Sequence, residues 1–274
     1  MRLGGPVFGE FEGPDEWIAA LQKLGYRAAY CPLDTKAGQG TIAAYEEAAM
    51  EAGIVIAEVG VWNNPIHPEE KQRRAAVTHA AECLALADEI GASCCVNCAG
   101  TRNAGHWYGP HPLNFTSETF DMIVESVREI IDHVKPKRTF YALEAMGFIP
   151  PDSPEAYSDF IKAVDRPRFA AHFDPVNIVN SRERYYNSGK LVKEFLAKVG
   201  PHVKSVHVKD VLLTSELTFF LKEVPPGKGG FDHRTLLAEM RRLDPGIPLM
   251  LEHLETAEQY VEAAEYVRGV EKSL

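Results

Sequence analysis

No leader is expected, since the sequence shows no charged stretch followed by a short apolar core and a small-residue cleavage site. It also lacks an apolar run long enough to span a bilayer. The expectation is a cytoplasmic protein that makes no use of a membrane. Positive charge is in short supply. Lys and Arg number 29 against 39 Asp and Glu, for a formal net charge of −10. Nucleic acid and anionic lipid surfaces both select a basic face, so neither is an expected partner. Cysteine is scarce as well, at five in 274 residues: Cys31, Cys83, Cys94, Cys95 and Cys98. Cys95 and Cys98 form a C-x-x-C, but no second pair completes a zinc site. A redox site needs a helix starting after the first cysteine. Here "SCCVNC" reads as a buried strand carrying reduced thiols. No low-complexity segment or linker is present. The glycine-rich "RLGGPVFGEFEG" lacks the G-x-G-x-x-G spacing of a dinucleotide loop, which ranks a doubly wound open sheet low.

What is present is ordinary globular material, 45% hydrophobic and 25% charged, in a chain long enough to bury a substantial core. One junction recurs. A helical segment ends at a glycine and an apolar run follows: Gly25 in "LQKLGYRAAYCPL", Gly53 in "AAMEAGIVIAEVG", Gly91 in "LADEIGASCCVNC" and Gly200 in "FLAKVGPHVKSVHV". A left-handed glycine just past a helix closes it. Pro14 and Pro68 read as first-turn residues, each followed by acids. Phe120, Ile123, Val124, Val127, Ile130 and Ile131 form one helical stripe. Thr256 and Gln259 fit a capping box at the start of the last helix.

Eight strands are expected, near 2–5, 26–31, 54–59, 93–97, 139–143, 168–173, 203–208 and 247–251, each followed by a helical segment. Dividing 274 residues by eight gives about 34 per βα unit, a suitable size for a (β/α)₈ TIM barrel forming a single domain over residues 1–274. In such a barrel the carboxyl ends of the strands converge on one face. The late strands each deliver one ligand-type side chain there. "RTFYALEAM" ends in Glu144, "RFAAHFDPVN" in Asp174 and "PLMLEHL" in Glu252, and "KSVHVKD" carries His207. These four lie 30, 33 and 45 residues apart, so no local motif forces the pattern. Three converging carboxylates repel and raise one another's pKa values. A divalent cation removes that cost. Two Glu, one Asp and one His suit Mn²⁺ best, with Mg²⁺, Co²⁺ and Zn²⁺ also compatible.

The motifs "LEAM", "FDPVN", "VHVKD", "PPGKGGFD" and "LMLEHL" resemble the xylose isomerase-like TIM barrels, over nearly the whole chain. That group includes ketose 3-epimerases, inosose dehydratases, hydroxypyruvate isomerases and the catalytic subunit of C-glycoside deglycosidases. The resemblance implies one divalent metal on Glu144, Asp174, His207 and Glu252, with Glu144 and Glu252 also exchanging the substrate proton. It implies an isomerase or epimerase acting on a sugar-like carbonyl compound through a metal-bound enediolate, or a lyase on the same scaffold. The substrate would be a small sugar or keto-sugar, and the assembly a homodimer or a pair with a small partner subunit. The chain departs from the ketose epimerases in two places. Asn177 stands where they carry a substrate-contacting histidine, and "KDVLLTSEL" lacks their arginine. The related apurinic-site endonucleases use a trinuclear zinc cluster, which takes many more histidines and acids at the strand ends than this chain has. A protein that only binds a metal or a sugar is the reading from another class.

Other rim residues have two readings each. In "CAGTRNAGHWYGPHPLN" the candidates for substrate contact are Trp107, Tyr108, His106 and, ahead of His106, His111. Loop packing or a subunit interface is the competing role. Trp62, with Asn63, Asn64 and His67, can wall the site. Lys209 either neutralises a developing oxyanion or pairs with a rim carboxylate. His172 shares a strand face with Asp174 and is either its supporting partner or a satisfied interior histidine. His253 should point away from the ligand set.

Overall fold

The structure is a computed structural model covering residues 1–274. In chain order the strands are β1 (Arg2–Gly4), β2 (Ala28–Tyr30), β3 (Val55–Gly60), β4 (Cys94–Asn97), β5 (Tyr141–Glu144), β6 (Phe169–Phe173), β7 (Val203–Val208), β8 (Asp210–Leu213), β9 (Leu221–Val224) and β10 (Pro248–Leu251). All but β8 and β9 are parallel and close into an eight-stranded barrel, in which β10 pairs with both β7 and β1. The helices are α1 (Pro14–Lys23), α2 (Gln39–Glu51), α3 (Glu70–Ile90), α4 (Ser117–Val134), α5 (Pro154–Val164), α6 (Arg182–Tyr186), α7 (Ser188–Val199), α8 (His233–Leu243) and α9 (Ala257–Lys272). The expected (β/α)₈ barrel is therefore present as a single domain. No helix is long and apolar enough to cross a membrane.

Strand parity sorts the side chains into two layers. Tyr141 and Leu143, Phe169, Ala171 and Phe173, Val206 and Val208, and Leu249 and Leu251 belong to a core cluster of 58 residues between strands and helices. Phe173 stacks on Phe195 of α7 with ring centroids 3.9 Å apart. The alternate positions turn inward, where small side chains such as Cys94, Val96, Ala142 and Ala170 pack together. Glu144, His172, Asp174, Ser205, His207 and Glu252 all have this inward parity. The same alternation that builds the outer core thus carries polar residues into the lumen.

Three of the four expected glycine closures are left-handed, with φ of 66°, 65° and 72° at Gly25, Gly53 and Gly91. Gly200 is not: its φ is −44°, and it opens a short 3₁₀ turn over Gly200–His202. A Cβ there would lie 3.2 Å from Leu243 Cδ1, so this glycine serves the close approach of α8. Lys135 and Asp165 close α4 and α5 in the left-handed region without being glycine, which hid those closures in the sequence. Pro68 precedes α3 by two residues instead of sitting in its first turn. Half of the expected capping box is present: Thr256 caps α9 by accepting from the Gln259 N–H, but Gln259 accepts from the N–H of Glu255 at 2.8 Å, one residue before the cap.

The antiparallel hairpin of β8 and β9 was not expected, since a helical segment was read directly after β7. Asp210 explains the detour. Its buried carboxylate accepts the backbone N–H groups of Val211, Gly227, Gly229 and Phe231. Those bonds draw the "PPGKGGFD" turn back against the end of β7. All five cysteines are free thiols.

Candidate metal centre

Glu144 is the last residue of β5 and Asp174 follows β6 directly. His207 lies in β7, and Glu252 follows β10 directly. One ligand atom from each can be chosen so that all lie within 4.8 Å of one another. His207 Nδ1 is the hub. It is 2.8 Å from Glu252 Oε1, 3.2 Å from Glu144 Oε1 and 3.7 Å from Asp174 Oδ2. Lys209 Nζ stands beside the cluster, 2.9 Å from Asp174 Oδ2 and paired with Glu252 Oε1. Asn177 donates to Glu144 Oε1 at 2.9 Å, and its own Oδ1 accepts from Lys209 at 3.3 Å.

A second carboxylate meets His207 from below. Glu58, on β3 and 1% exposed, lies 3.2 Å from His207 Nε2 through Oε2. Its Oε1 lies 2.9 Å from His172 Nε2 and accepts the Ser205 hydroxyl. His172 is therefore the partner of Glu58 and not of Asp174. Sequence reasoning missed Glu58 because it sits inside a strand and not at its end. The signal existed: Glu58 in "IVIAEVGV" is a lone acid in an apolar run, the same anomaly that marks Glu252 in "PLMLEHL".

Charge decides what the rim can do. Glu58, Glu144, Asp174 and Glu252 converge in burial against one lysine, Lys209, and two histidines. Like charges about 4 Å apart repel by roughly 4 kcal/mol at an effective dielectric near 20. Burial pushes the Glu144 carboxyl up against the pull of His207, and the charge of Glu252 adds to the rise. Burial opposes ionisation of Glu252 too, but His207 and Lys209 outweigh it and hold that carboxyl at about 2. Asp174 is held low against burial by Lys209 and His207, and Glu58 by His172 and His207. Burial works against protonation of His207, yet the surrounding carboxylates, led by Glu252, lift it well above its ordinary value. Two buried oxygens, Asp174 Oδ2 and Glu252 Oε1, accept no hydrogen bond of proper geometry despite the nearby Lys209. Buried acceptors that share one lysine are poorly satisfied. Together with the three-carboxylate, one-imidazole donor set they fit a hard or borderline divalent cation.

A cavity of about 570 Å³ opens above the cluster. Its wall includes Tyr30, Trp62, Trp107, Tyr108, Met146 and Tyr260, and its floor Glu144, Asn177 and Glu252. Trp62 has a φ of 52°, an unfavoured conformation for a bulky residue. In this conformation its ring lies with its centroid 6.3 Å from that of His207 and equally far from that of Trp107.

The profile of the family described as xylose isomerase-like TIM barrel matches residues 18–270. The chain belongs to the xylose isomerase-like TIM barrel family. A comparison of its sequence with the curated proteins finds no match. Solved structures share the fold. A xylose isomerase-like TIM barrel protein from Mycobacterium smegmatis in complex with magnesium is 18% identical, with 94% of this chain and 88% of that one covered and a TM-score of 0.64. For 3-keto-D-glucoside 4-epimerase from E. coli the identity is 16%, the coverage 98% and 99%, and the TM-score 0.70. Endonuclease IV from Thermus thermophilus is 14% identical over the whole of both chains, with a TM-score of 0.75.

Within this xylose isomerase-like barrel, Trp62, Trp107 and Asn177 line the cavity; Lys209 does not, and lies buried behind Asn177 and Glu252. His111 is not part of the cavity wall; its Nδ1 accepts the Leu113 N–H at 3.3 Å. His106 is exposed and joins His67, Asn63 and Asn64 around a side cleft that shares Trp62 and Trp107 with the cavity. His253 stays outside the four-ligand group but does not point away. Its φ of 58° breaks the strand parity and brings the ring to the cavity, 3.1 Å from Glu223 Oε1 and 3.2 Å from Lys209 Nζ. No cysteine joins a ligand group.

Proposed function

We propose that the chain is a divalent-metal-dependent isomerase or epimerase acting on a small sugar-like carbonyl compound. The carrying observation is the convergence of three carboxylates and one imidazole, Glu144, Asp174, Glu252 and His207, beneath an aromatic cavity, with a single lysine shared between Asp174 Oδ2 and Glu252 Oε1. These four residues would hold the cation, Mn²⁺ first among Mg²⁺, Co²⁺ and Zn²⁺. When bound, the cation polarises the substrate carbonyl and the adjacent hydroxyl and so acidifies the neighbouring C–H. The protein supplies the proton traffic. Glu144 and Glu252 come from strands separated by β6 and β7, so they reach the substrate from different sides. One carboxylate takes the proton and the other returns one, which inverts or relocates the centre. Asn177 anchors Glu144, and Lys209 anchors Glu252, so both keep a defined orientation. The aromatic wall restricts water around the exposed carbanion equivalent.

A lyase acting on a 3-keto-glycoside is the second reading. The breadth of the aromatic wall favours it, since Trp62, Trp107 and Tyr108 offer stacking area for a group beyond a single sugar ring.

The test is solvent deuterium exchange into a panel of ketoses, inososes and 3-keto-glycosides with Mn²⁺ present. Exchange at one carbon supports proton abstraction. Its absence across the panel in a protein that binds Mn²⁺ supports a binding protein instead. Loss of the aglycone, read by mass spectrometry, selects the lyase.

A further inference from the structure

The rim cluster needs one nitrogen of His207 to be bare. An imidazole that ligates a cation through Nδ1 keeps a single proton, and that proton must sit on Nε2. In a sealed lumen an N–H without an acceptor is costly. The acceptor facing Nε2 is Glu58 Oε2, 3.2 Å away. Glu58 comes from β3, on the far side of the barrel from β7, so this contact crosses the lumen.

Glu58 is itself held. Its Oε1 is bonded to His172 Nε2 at 2.9 Å and to the Ser205 hydroxyl. Ser205 and His207 share the inward face of β7, and the register of β6 on β7 sets His172 opposite Ser205. The two imidazoles pack edge to face, with ring centroids 4.1 Å apart. Glu58, His172, Ser205 and His207 are at most 1% exposed, so water cannot substitute for any of them. His172 Nδ1 has no partner, so the proton of that ring sits on Nε2, where Glu58 Oε1 accepts it.

We infer that Glu58 is a positioning residue: it takes the Nε2 proton of His207 and thereby presents the Nδ1 lone pair to the rim carboxylates and their cation. This inference rests on the metal-dependent reading of the rim. A carboxylate that orients a metal-bound histidine contributes about 10–100-fold in metal affinity.

The experiment compares the full-length wild type with Glu58→Leu and Glu58→Gln. Mn²⁺ affinity is measured by calorimetry, apo-protein melting by circular dichroism, and the His207 ring by ¹⁵N NMR with diamagnetic Zn²⁺ bound. The wild-type ring is expected as the Nε2–H tautomer. Glu58→Leu is expected to bind Mn²⁺ about 10–100-fold more weakly and to lose the unique tautomer. Glu58→Gln is expected to restore affinity to within tenfold of wild type. Its amide oxygen can accept from His207 while its NH₂ donates to His172 Nε2; the His172 proton then moves to the partnerless Nδ1, a cost that falls on apo-protein melting and not on the His207 tautomer. An Nδ1–H tautomer in the loaded wild type overturns the inference. So does wild-type Mn²⁺ affinity in Glu58→Leu, or equal weakening in both variants with the tautomer unchanged, which would mark a charge effect. If Glu58→Leu does not fold, the wild-type tautomer and Glu58→Gln decide. A wild type that binds no divalent cation sinks the metal-dependent reading and this inference with it; normal wild-type binding and exchange with an indifferent Glu58→Leu sinks only the inference.

Discussion

His207 separates two carboxylate clusters that look alike in composition and differ in balance. Below it, Glu58 is enclosed by His172, Ser205 and His207, and both of its oxygens are used. Above it, Glu144, Asp174 and Glu252 outnumber their donors, and two buried oxygens take no proper hydrogen bond. In the lower cluster every carboxylate oxygen is paired, and the one unpartnered atom is His172 Nδ1. The upper cluster is incomplete in a directed way, because two of its carboxylates, Glu144 and Glu252, floor a cavity large enough for a ligand. A carboxylate with both oxygens paired suits a structural tie; an acceptor-rich cluster is the kind that fits a cation.

The largest expected effect tests the upper cluster. Glu144→Gln and Glu252→Gln should each cut solvent-exchange activity by about 10²–10⁴-fold, the usual worth of a positioned acid or base. Calorimetry should still find Mn²⁺ bound. Retained activity in both variants would end the proton-carrier assignment. Next comes the lower cluster. His172→Leu leaves Glu58 short of a donor, and the apo protein should lose about 3–5 kcal/mol in urea unfolding, as expected when one partner of a buried pair is removed. If His172→Leu unfolds like wild type, the lower cluster is not the tie described.

Metal loading should act in the opposite sense. Saturation to 100 times the dissociation constant should stabilise the wild type by about 2.7 kcal/mol, visible as a rise in melting temperature that chelation reverses. A melting curve indifferent to Mn²⁺ would erase the contrast between the clusters. The smallest effect lies at the other end of the barrel. Asp88 is partly buried, which raises its pKa, but the backbone N–H groups of Arg138, Lys137 and Thr139 outweigh that and hold it below the ordinary aspartate value. The folded pKa is the lower one. The stabilisation is therefore present above the unfolded value near ~3.9 and is lost as pH falls through the folded value. Asp88→Asn should flatten the acid limb of a stability-versus-pH curve. An unchanged limb would show that this carboxylate contributes nothing beyond its surface position.

Much of the upper cluster was legible in the chain. Glu144, Asp174 and Glu252 stand at the ends of apolar runs, where an acid is conspicuous, and His207 is near the end of its own. The barrel was legible for the same reason, through repeated helix closures and apolar strands. Glu58 was legible only as a lone acid in an apolar run; its partners were not, because a mid-strand residue gives no hint of what stands across the lumen from it. The hairpin of β8 and β9 was hidden because its cause is a single carboxylate, Asp210, bonding to amides up to 21 residues away. The direction of His253 was misread because a left-handed φ resets strand parity, and nothing in the residue type announces it.

By itself, then, the sequence determined periodicity: which residues alternate inward, where helices close, and which four side chains arrive at one rim. These are short-range properties of the chain, set by backbone geometry and burial preference. Only the tertiary structure decided the pairing of Glu58 with His207 and His172, the placement of His111 outside the cavity, and the surplus of acceptors over donors at the rim. Those depend on which strands face one another across the closed barrel, and a distance across the lumen has no trace in spacing along the chain.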